Sequence, residues 1–262
     1  GLGSTFQKSG PLLFLVERMY YEGLKKASCV FFQNEENRQI FRRGGLVSGR
    51  DRLVPGSGVN TKVWQAMPYP KDEVTNFLFV GRVMKEKGIE EFFRAAEVLH
   101  SEKVLFSICG YCDEDYQEEL DERASRGEIL QLGFHPDMHE FYRDCSAVVM
   151  PTWHEGMSNV LMEASACARP VIASNISGCR EIFEDGVTGY GFAPHSPEEL
   201  IRTLRHFLTL DRSQRAAMGE AARQKMIEEF DREKVAAAYL EEIHAAMEAS
   251  KEDGGKKGNS ET

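Results

Sequence analysis

Short apolar segments alternate with amphipathic helical patterns between residues 77 and 192, and this alternation limits the possible folds more than any other feature of the chain. Strands are predicted at residues 77–81, 104–109, 129–132, 147–150, 170–174 and, more weakly, 189–192. Helices are predicted between them, at residues 88–100, 114–126, 137–144, 159–168 and 178–184. Strands joined through helices by short loops are parallel, and their crossovers are right-handed. The sequence therefore predicts an α/β fold, a doubly wound, Rossmann-like parallel sheet with helices on both faces.

The segment that follows the last strand pattern continues as helices. Ser196 and Pro197 begin the first of them with a capping side chain and a proline at the first helical position. Two more amphipathic helices are predicted near residues 212–229 and 231–249. Residues 251–262 are polar and rich in glycine, and we expect a disordered tail there.

The N-terminal segment has a different pattern. Residues 10–27 and 34–43 are predicted to be helical, and residues 29–33 form an apolar strand pattern between them. One strand and two helices do not make a sheet with a core of its own. We expect this segment either to pack on the Rossmann-like domain or to be the last part of another domain. Gly56, Ser57 and Gly58 are typical of a linker.

Composition excludes several classes of protein. The chain of 262 residues is 42% apolar, enough for one large or two smaller domains, and no apolar run approaches the length of a membrane span. The formal net charge of −10 argues against a broad nucleic-acid surface. The six cysteines lie mostly in apolar or helical patterns, as expected for reduced thiols in the cytoplasm.

Charge is distributed unevenly. Residues 1–60 carry nine Lys and Arg against five Asp and Glu, whereas the remainder carries 23 against 37. A basic N-terminal segment can contact an anionic membrane surface, although uneven charge on a solvated surface is also common. Peripheral contact with a membrane is therefore one of two interpretations.

The segment from Glu155 to Glu163 follows a strand that ends at Pro151, and it indicates a ligand site. Ser158 or Asn159 can cap a helix there, so that free N–H groups and the positive end of the helix dipole face the edge of the sheet. Carboxylates such as Glu155 repel phosphate but accept hydrogen bonds from hydroxyl groups. The segment therefore suits a ligand with an anionic centre and hydroxyl-bearing ends, the anatomy of a sugar nucleotide.

Two cations follow the first strand of the alternation. Arg82 and Lys87 lie in the loop at the edge where open α/β sheets bind ligands, and together they can neutralise a diphosphate. Solvated loop cations have the same spacing, so the pattern by itself leaves both interpretations open.

Other chemistry is weakly indicated. Cys109 and Cys112, at the end of the strand predicted at residues 104–109, have the spacing of a thioredoxin-type dithiol. His135 and His139 lack an evident third metal ligand, and we expect no metal site. The chain has no G-x-G-x-x-G nucleotide fingerprint of a dehydrogenase.

Several motifs in the same order resemble those of glycosyltransferase family 4, retaining sugar-nucleotide transferases of the GT-B fold, and above all bacterial enzymes of capsule and lipopolysaccharide assembly. The matching pieces are Gly81-Arg82 with Lys87-Gly88, the E-x7-E pair Glu155 and Glu163, the run from Ala164 to Ala173, Gly178 to Ile182, and Asp185 to Gly189. The family usually has glycine where this chain has Ala168. The resemblance implies a second Rossmann-like domain, of which residues 1–55 are expected to be a C-terminal remnant. Residues 56–250 then form the donor-binding domain.

The resemblance also implies roles for individual residues. Arg82 and Lys87 would stabilise the leaving diphosphate, Glu163 would bind the ribose hydroxyls, and Glu155 would bind the transferred sugar. Glu155 acts either as a nucleophile or within an internal-return mechanism. The remaining predicted substrate-binding residues are Gly81, Gly156, Met157, Ser158, Asn159 and, as a wall of the base pocket, Phe134. An ordinary core phenylalanine is an equal interpretation of Phe134.

The function that follows is transfer of a hexosyl or acetamido-hexosyl group from a nucleoside diphosphate sugar, UDP rather than GDP, to a glycan or lipid-linked acceptor, without a metal or other cofactor. A non-catalytic nucleotide-binding module and a sugar-nucleotide epimerase are the alternatives, and a dithiol oxidoreductase ranks last. We expect a cytoplasmic protein with possible membrane contact. Residues 1–55 are expected to dock on the donor domain or to mediate self-association.

Overall fold

The computed structural model describes residues 10–258 except residues 48, 72 and 114, with side chains described as far as residue 249. Residues 1–9 and 259–262, including the first residues of the predicted remnant and the end of the predicted tail, lie outside the described residues. The described strands are β1 (Cys29–Phe32), β2 (Arg50–Leu53), β3 (Thr75–Val80), β4 (Val104–Cys109), β5 (Leu130–Gly133), β6 (Ala147–Met150), β7 (Val171–Ser174) and β8 (Gly189–Phe192). The described α-helices are α1 (Pro11–Leu24), α2 (Glu35–Arg43), α3 (Ile89–Leu99), α4 (Gln117–Ser125), α5 (His139–Asp144), α6 (Asn159–Ala166), α7 (Pro197–Thr209), α8 (Arg212–Glu229) and α9 (Arg232–Gly258).

Strands β3 to β8 form one parallel sheet in the order β5-β4-β3-β6-β7-β8. The predicted parallel α/β fold is confirmed, and all six predicted strands are present within two residues of their expected bounds. Apolar patterning locates them because a strand buried on both faces contains little but apolar residues.

The sheet reverses its order of growth between β3 and β6. The chain adds β4 and β5 on one side of β3, then returns to add β6, β7 and β8 on the other side. The β3–β6 ladder pairs Phe77 with Ala147 and Leu78 with Val148, and both strands continue for two residues beyond it. A crevice at such a switch point is where open α/β sheets bind ligands.

Helices cover the sheet on two faces because side chains alternate along each strand. On β3 and β6, Phe77 and Val149 belong to one buried cluster, which includes residues of α3 and α7. Leu78 and Val148 belong to the other, which includes residues of α5 and α6. The result is a three-layer domain with one core on each side of the sheet.

Some sequence-based predictions are wrong in detail. The helix predicted at residues 178–184 is a series of turns, in which Gly178 has φ +90° and the Glu181 carboxylate accepts from the Gly178 N–H at 2.7 Å. The strand β2 was not predicted because it reads Arg-Asp-Arg-Leu, without an apolar run. Helix α9 continues to Gly258, into the predicted disordered tail, since helical hydrogen bonds are local and need no tertiary contact.

The N-terminal segment forms a parallel pair of strands and lies against the larger domain. Strands β1 and β2 pair in parallel, and Phe31 of β1 lies 4.1 Å from the ring of Tyr239 on α9, centroid to centroid. Arg52 of β2 forms ion pairs with Glu241 at 2.7 Å and with Glu242 at 3.3 Å. The segment therefore docks on α9, through one aromatic contact and charged pairs.

Helix α1 carries no buried residue. Leu12, Phe14, Leu15 and Met19 are all exposed on it. Among the described residues, the structure contains no helix that is long and apolar enough to cross a membrane.

Arg169, between α6 and β7, is fully buried and joins three parts of the domain. All its hydrogen bonds that the structure describes go to main-chain carbonyls. They reach Tyr142 at 2.6 Å and Arg143 at 3.1 Å on α5, Met67 at 3.1 Å and Pro68 at 2.8 Å before β3, and Cys167 at 3.4 Å and Ala168 at 3.1 Å after α6. The guanidinium therefore satisfies the carbonyls where α5, α6 and the segment before β3 meet.

Replacing Arg169 with methionine is expected to lower the free energy of unfolding by about 3–5 kcal/mol, because several buried carbonyls lose their donor. The control is Arg143→Met, which removes a side chain that is exposed and paired with Asp144. That change is expected to cost less than about 1 kcal/mol. Urea denaturation of both variants measures the difference, and equal losses would contradict the role given to Arg169.

Candidate functional site

The loops after β3 and after β6 meet at the switch point of the sheet. Gly88 has φ +74°, and a Cβ atom there would lie 2.0 Å from the carbonyl oxygen of Pro151. The Trp153 N–H donates to the Glu86 carbonyl at 2.9 Å. The two loops are therefore in direct main-chain contact, which only glycine at position 88 permits.

Lys87 and Glu155 form an ion pair between these loops. Their charged atoms Nζ and Oε1 lie 2.5 Å apart, and 25% and 16% of the two side chains is exposed. Two residues that the sequence predicts as catalytic are therefore brought together. A positive and a negative group are presented side by side at the crevice.

The loop from Glu155 to Ser158 contacts three other segments of the chain. The Asn34 side chain, from the N-terminal segment, donates to the Gly156 carbonyl at 2.7 Å. The Ser158 N–H donates to the Gly178 carbonyl at 2.9 Å. A Cβ atom on Gly56 would lie 2.6 Å from Cγ of Met157, so Met157 packs against the start of the segment predicted to be a linker. The loop conformation is set by the whole fold around it.

Helix α6 begins at this loop with the predicted cap. The Ser158 Oγ atom accepts from the Leu161 N–H at 3.3 Å, and Asn159 is the first helical residue. The N–H groups at the first two positions of a helix have no acceptor within the helix, here those of Asn159 and Val160. These N–H groups can donate hydrogen bonds to an anionic oxygen. The Ser158 N–H, by contrast, donates to the Gly178 carbonyl in this structure.

Arg82 lies on the other side of the β3 loop and pairs with Asp113. Its Nη1 atom is 2.6 Å from Asp113 Oδ2, and both side chains are exposed. Gly81 precedes Arg82, and its carbonyl oxygen lies against Gly110, the residue after β4. A Cβ atom on Gly110 would be 1.8 Å from that oxygen. The guanidinium is thus placed at the carboxyl edge of the sheet, balanced by a surface carboxylate.

Phe134 follows β5 at the same edge. Its side chain is 64% exposed, and its ring meets that of Tyr111 edge to face with centroids 5.9 Å apart. It is therefore not an ordinary core phenylalanine. Two exposed aromatic rings on neighbouring loops provide an apolar surface.

Glu163 lies on the second turn of α6, where the Tyr142 hydroxyl donates to its Oε2 atom at 3.1 Å. Burial raises the pKa of Glu163 above its usual value, while this hydrogen bond and nearby His139 act in the opposite direction. Asn159 also has a side-chain contact, since its Oδ1 atom accepts from the Ser57 hydroxyl at 3.0 Å.

The sequence does not predict three residues that bind the site residues. Tyr142 lies in a helical pattern and looks like an ordinary core residue, Asp113 looks like a loop acid, and Asn34 looks like a helix cap, which it also is. No local signal marks them because each acts on a residue distant in the chain. Only the tertiary contacts show them.

The cysteines and histidines considered from the sequence have other partners. Cys109 is buried with its Sγ 3.5 Å from Met138 Sδ, and burial raises its pKa. A low-pKa dithiol nucleophile is therefore not supported there. His139 bonds Asp137 at 2.6 Å and stacks on Trp64. Among the residues that the structure describes, no three His, Cys, Asp or Glu side chains are grouped as metal ligands.

Comparison with known proteins identifies the family. The sequence pattern of the family "Glycosyl transferases group 1" matches residues 65–225, more than half of the chain. This range includes both loops at the switch point and all six strands of the larger sheet. The chain belongs to the group 1 glycosyl transferases.

Curated relatives extend over more of the chain. An N,N'-diacetylbacillosaminyl-diphospho-undecaprenol alpha-1,3-N-acetylgalactosaminyltransferase of Campylobacter jejuni is 25% identical, over 92% of this chain and 67% of its own length. A D-inositol 3-phosphate glycosyltransferase of Paenarthrobacter aurescens is 28% identical, over 66% and 44%. A glycogen synthase of Mycobacterium tuberculosis is 25% identical, over 86% and 55%. The chain thus spans between 44% and 67% of the length of these relatives.

Solved structures share the fold. Sucrose-phosphate synthase from Thermosynechococcus elongatus superimposes with a TM-score of 0.80 at 22% identity, covering 95% of this chain and 67% of that one. Anabaena HepE in complex with UDP superimposes with a TM-score of 0.78 at 20% identity, covering 93% and 70%. These similarities establish a GT-B type of fold for the chain.

Replacing Gly88 with alanine tests the contact between the two loops. The control is Gly186→Ala, where φ is +75° and a Cβ atom would meet nothing within 4 Å. Both changes carry the cost of a left-handed alanine, about 1–2 kcal/mol. Only Gly88→Ala also drives a methyl group into Pro151, so we expect it to lower the free energy of unfolding by about 1–3 kcal/mol more than the control. Equal values in urea denaturation would contradict the contact.

Proposed function

We propose that this chain supplies the donor-binding part of a retaining glycosyltransferase of family 4. The reaction transfers a hexosyl or acetamido-hexosyl group from a nucleoside diphosphate sugar to a glycan or lipid-linked acceptor. The observation that carries the proposal is the Lys87–Glu155 pair, which joins the two loops of the switch point beside the N-terminus of α6. The cation can bind a diphosphate, and the carboxylate can accept a hydrogen bond from a sugar hydroxyl. The free N–H groups of the helix can donate to an anionic oxygen.

The diphosphate is proposed to lie between Arg82, Lys87 and the first N–H groups of α6. When the bond from the anomeric carbon to the phosphate oxygen breaks, the electron pair leaves with the nucleoside diphosphate and negative charge grows there. Fixed positive groups stabilise that charge in the transition state, and no metal is needed for it. Because Lys87 is paired with Glu155 and Arg82 with Asp113 before the ligand binds, the phosphates compete with two carboxylates.

Glu155 is proposed to face the transferred sugar. Its carboxylate accepts hydrogen bonds from sugar hydroxyls and offsets positive charge that develops on the ring. The acceptor hydroxyl oxygen then bonds to the anomeric carbon on the face that the diphosphate leaves, and the hydroxyl proton passes to the leaving diphosphate. Retention follows from a covalent intermediate or from same-face internal return. The proposal requires only that Glu155 lie beside the reacting carbon.

Glu163 is proposed to bind the ribose hydroxyls of the nucleotide. In dinucleotide-binding folds an acidic side chain likewise accepts hydrogen bonds from the ribose hydroxyls. Glu163 is half-buried one turn into α6, so the ribose would lie beside the helix whose N-terminus meets the phosphates. The exposed pair of Phe134 and Tyr111 offers a wall for the base.

Substrate identity is proposed from the relatives. Anabaena HepE has been solved with UDP and with UDP-glucose, which supports UDP over GDP as the nucleotide. The Campylobacter relative acts, by its name, on a diphospho-undecaprenol and transfers N-acetylgalactosamine. A lipid-linked acceptor and an acetamido-hexose are therefore the favoured substrates within the proposed class.

A second candidate is a nucleotide-binding module that needs a separately supplied acceptor domain. The residues of the site argued above, Lys87, Glu155 and Glu163, are all assigned to the donor, which supports this candidate. Both candidates bind the nucleotide, but only the first transfers sugar. Incubation with UDP-N-acetylgalactosamine and an undecaprenyl diphosphate-linked sugar, followed by mass spectrometry of the lipid, separates the two.

Calorimetric titration with UDP and with GDP, without added metal, tests the site. Saturable binding of one nucleotide is expected, weakened by about 1–3 kcal/mol in Glu163→Ala and in Arg82→Ala because each loses charge-assisted bonds. Glu229→Ala and Arg143→Ala are the controls, since both remove exposed members of surface ion pairs. Binding that neither site variant weakens beyond its control would refute the assignment of the site.

We also propose a cytoplasmic protein that contacts the membrane through α1, whose exposed apolar residues adjoin Arg18 and Lys25. Sedimentation with phosphatidylserine-containing vesicles tests this contact. Phe14→Ser is expected to weaken binding at least about fivefold, since burying a phenylalanine contributes about 1.5–3 kcal/mol. Leu130→Ser, at another exposed leucine, is the control. Equal binding by both variants would contradict the contact.

A further inference from the structure

Tyr142 is a buried residue whose hydroxyl reaches the proposed nucleotide site. The side chain is fully buried on α5, yet its hydroxyl donates to Oε2 of Glu163 at 3.1 Å. Tyrosine and carboxylate come from different helices, and the bond lies where α5 and α6 pack together. The other carboxylate oxygen, Oε1, is left to other partners.

The position of this tyrosine is strongly constrained. Arg169 Nε donates to the Tyr142 carbonyl at 2.6 Å, and its Nη2 donates to the next carbonyl at 3.1 Å. The Tyr142 ring meets Trp64 edge to face, with centroids 5.6 Å apart. Main chain and ring are thus both held, so the hydroxyl has little freedom to move away from Glu163.

The protonation states agree with a fixed donor and acceptor. Burial, followed by the charge of Glu163, raises the pKa of Tyr142 well above its usual value, so the hydroxyl keeps its proton. Burial raises the pKa of Glu163, and the bond from Tyr142 opposes that rise. The tyrosine therefore favours the ionised carboxylate that a diol needs as acceptor.

We propose that Tyr142 is the positioning residue of the nucleotide site, holding Oε2 of Glu163 so that Oε1 binds the ribose hydroxyls. The inference rests on the proposed function and adds to it a residue that does not touch the ligand. Orientation of a carboxylate by a partner behind it raises affinity because less freedom is lost on binding.

Other charged or titratable groups surround Glu163. His139, on α5 with Tyr142, opposes the rise in the Glu163 pKa and is itself bonded to Asp137. Cys167 caps the C-terminal end of the helix that carries Glu163, and its pKa is raised to about 12, chiefly by burial. Arg223 of α8 donates to the carbonyl of Ala166 at 2.8 Å. These side chains are the same in the parent chain and in the variants below.

The test is UDP binding by Tyr142→Phe, measured calorimetrically between about pH 4 and pH 8, a range that begins below the usual glutamate pKa of about 4.3. The control is Tyr69→Phe, which also removes a buried tyrosine hydroxyl, one that donates to the Ser146 carbonyl at 2.9 Å. Each affinity is divided by that of the parent chain at the same pH, which removes the titration of UDP itself.

Tyr142→Phe is expected to weaken binding at least about fivefold at pH 7, on the scale of one lost hydrogen bond to a charged group. Removal of a bond that lowers the Glu163 pKa lets that pKa rise, so binding is lost at a higher pH as the solution is acidified. Tyr69→Phe is expected to stay within about twofold of the parent chain at every pH, because the Tyr69 hydroxyl donates to the Ser146 carbonyl and the substitution keeps the ring that lies beside Arg169. A Tyr142→Phe profile equal to that of Tyr69→Phe overturns the inference.

The same substitution in a Glu163→Ala background separates positioning from a general structural effect. If Tyr142 acts through Glu163, Tyr142→Phe has no further effect on affinity once the carboxylate is gone. A further fivefold loss in that background overturns the inference, because the tyrosine would then act on the site by another route.

The two proposals fail differently. No UDP or GDP binding by the parent chain overturns the proposed function and this inference with it. Binding that Glu163→Ala weakens and Tyr142→Phe leaves unchanged overturns the inference alone and leaves the proposed function standing.

Discussion

The buried guanidinium of Arg169 is the interaction on which the geometry of the site depends. It binds carbonyls from α5, from the end of α6 and from the segment that enters β3, so three segments far apart in sequence are fixed by one side chain. Carbonyls at the C-terminal ends of two short helices carry partial negative charge, which offsets the buried positive charge. Arg169 thereby fixes the position of Tyr142, and the Tyr142 hydroxyl in turn holds the Glu163 carboxylate.

Close main-chain contacts give the crevice its rigidity. The left-handed Gly88 touches Pro151, the Gly110 backbone lies against Gly81, and Gly178 lies against Glu155, where a Cβ would be 2.7 Å from its carbonyl oxygen. Each contact joins a loop after one strand to a loop after another. A site built in this way is largely formed before its ligand arrives, so less binding energy is spent on ordering it.

Much of the fold and part of the site are predictable from the sequence. The six strands follow from apolar runs, and Ser158 as a cap follows from its place before the apolar residues of α6. Strand β2 escapes prediction because its stability comes from pairing with β1 and from Asp51, which is bonded by Arg38 and Arg42, and not from apolar residues. The pairing of Lys87 with Glu155 and of Tyr142 with Glu163 escapes prediction because 68 and 21 residues separate the partners and only the folded sheet brings them together. Ala168, where the resembled family has glycine, has φ +58°, so the left-handed turn persists at the cost of some strain.

The most direct test of the account is a crystal structure of the chain with UDP. We expect the diphosphate within hydrogen-bonding distance of Arg82 and of the Asn159 N–H. We also expect the ribose hydroxyls to be hydrogen-bonded to Oε1 of Glu163, with the Tyr142 hydroxyl still bonded to Oε2. UDP bound away from the switch point, or bound there with its ribose turned away from Glu163, would contradict the central claim that these two loops and α6 form a nucleotide site.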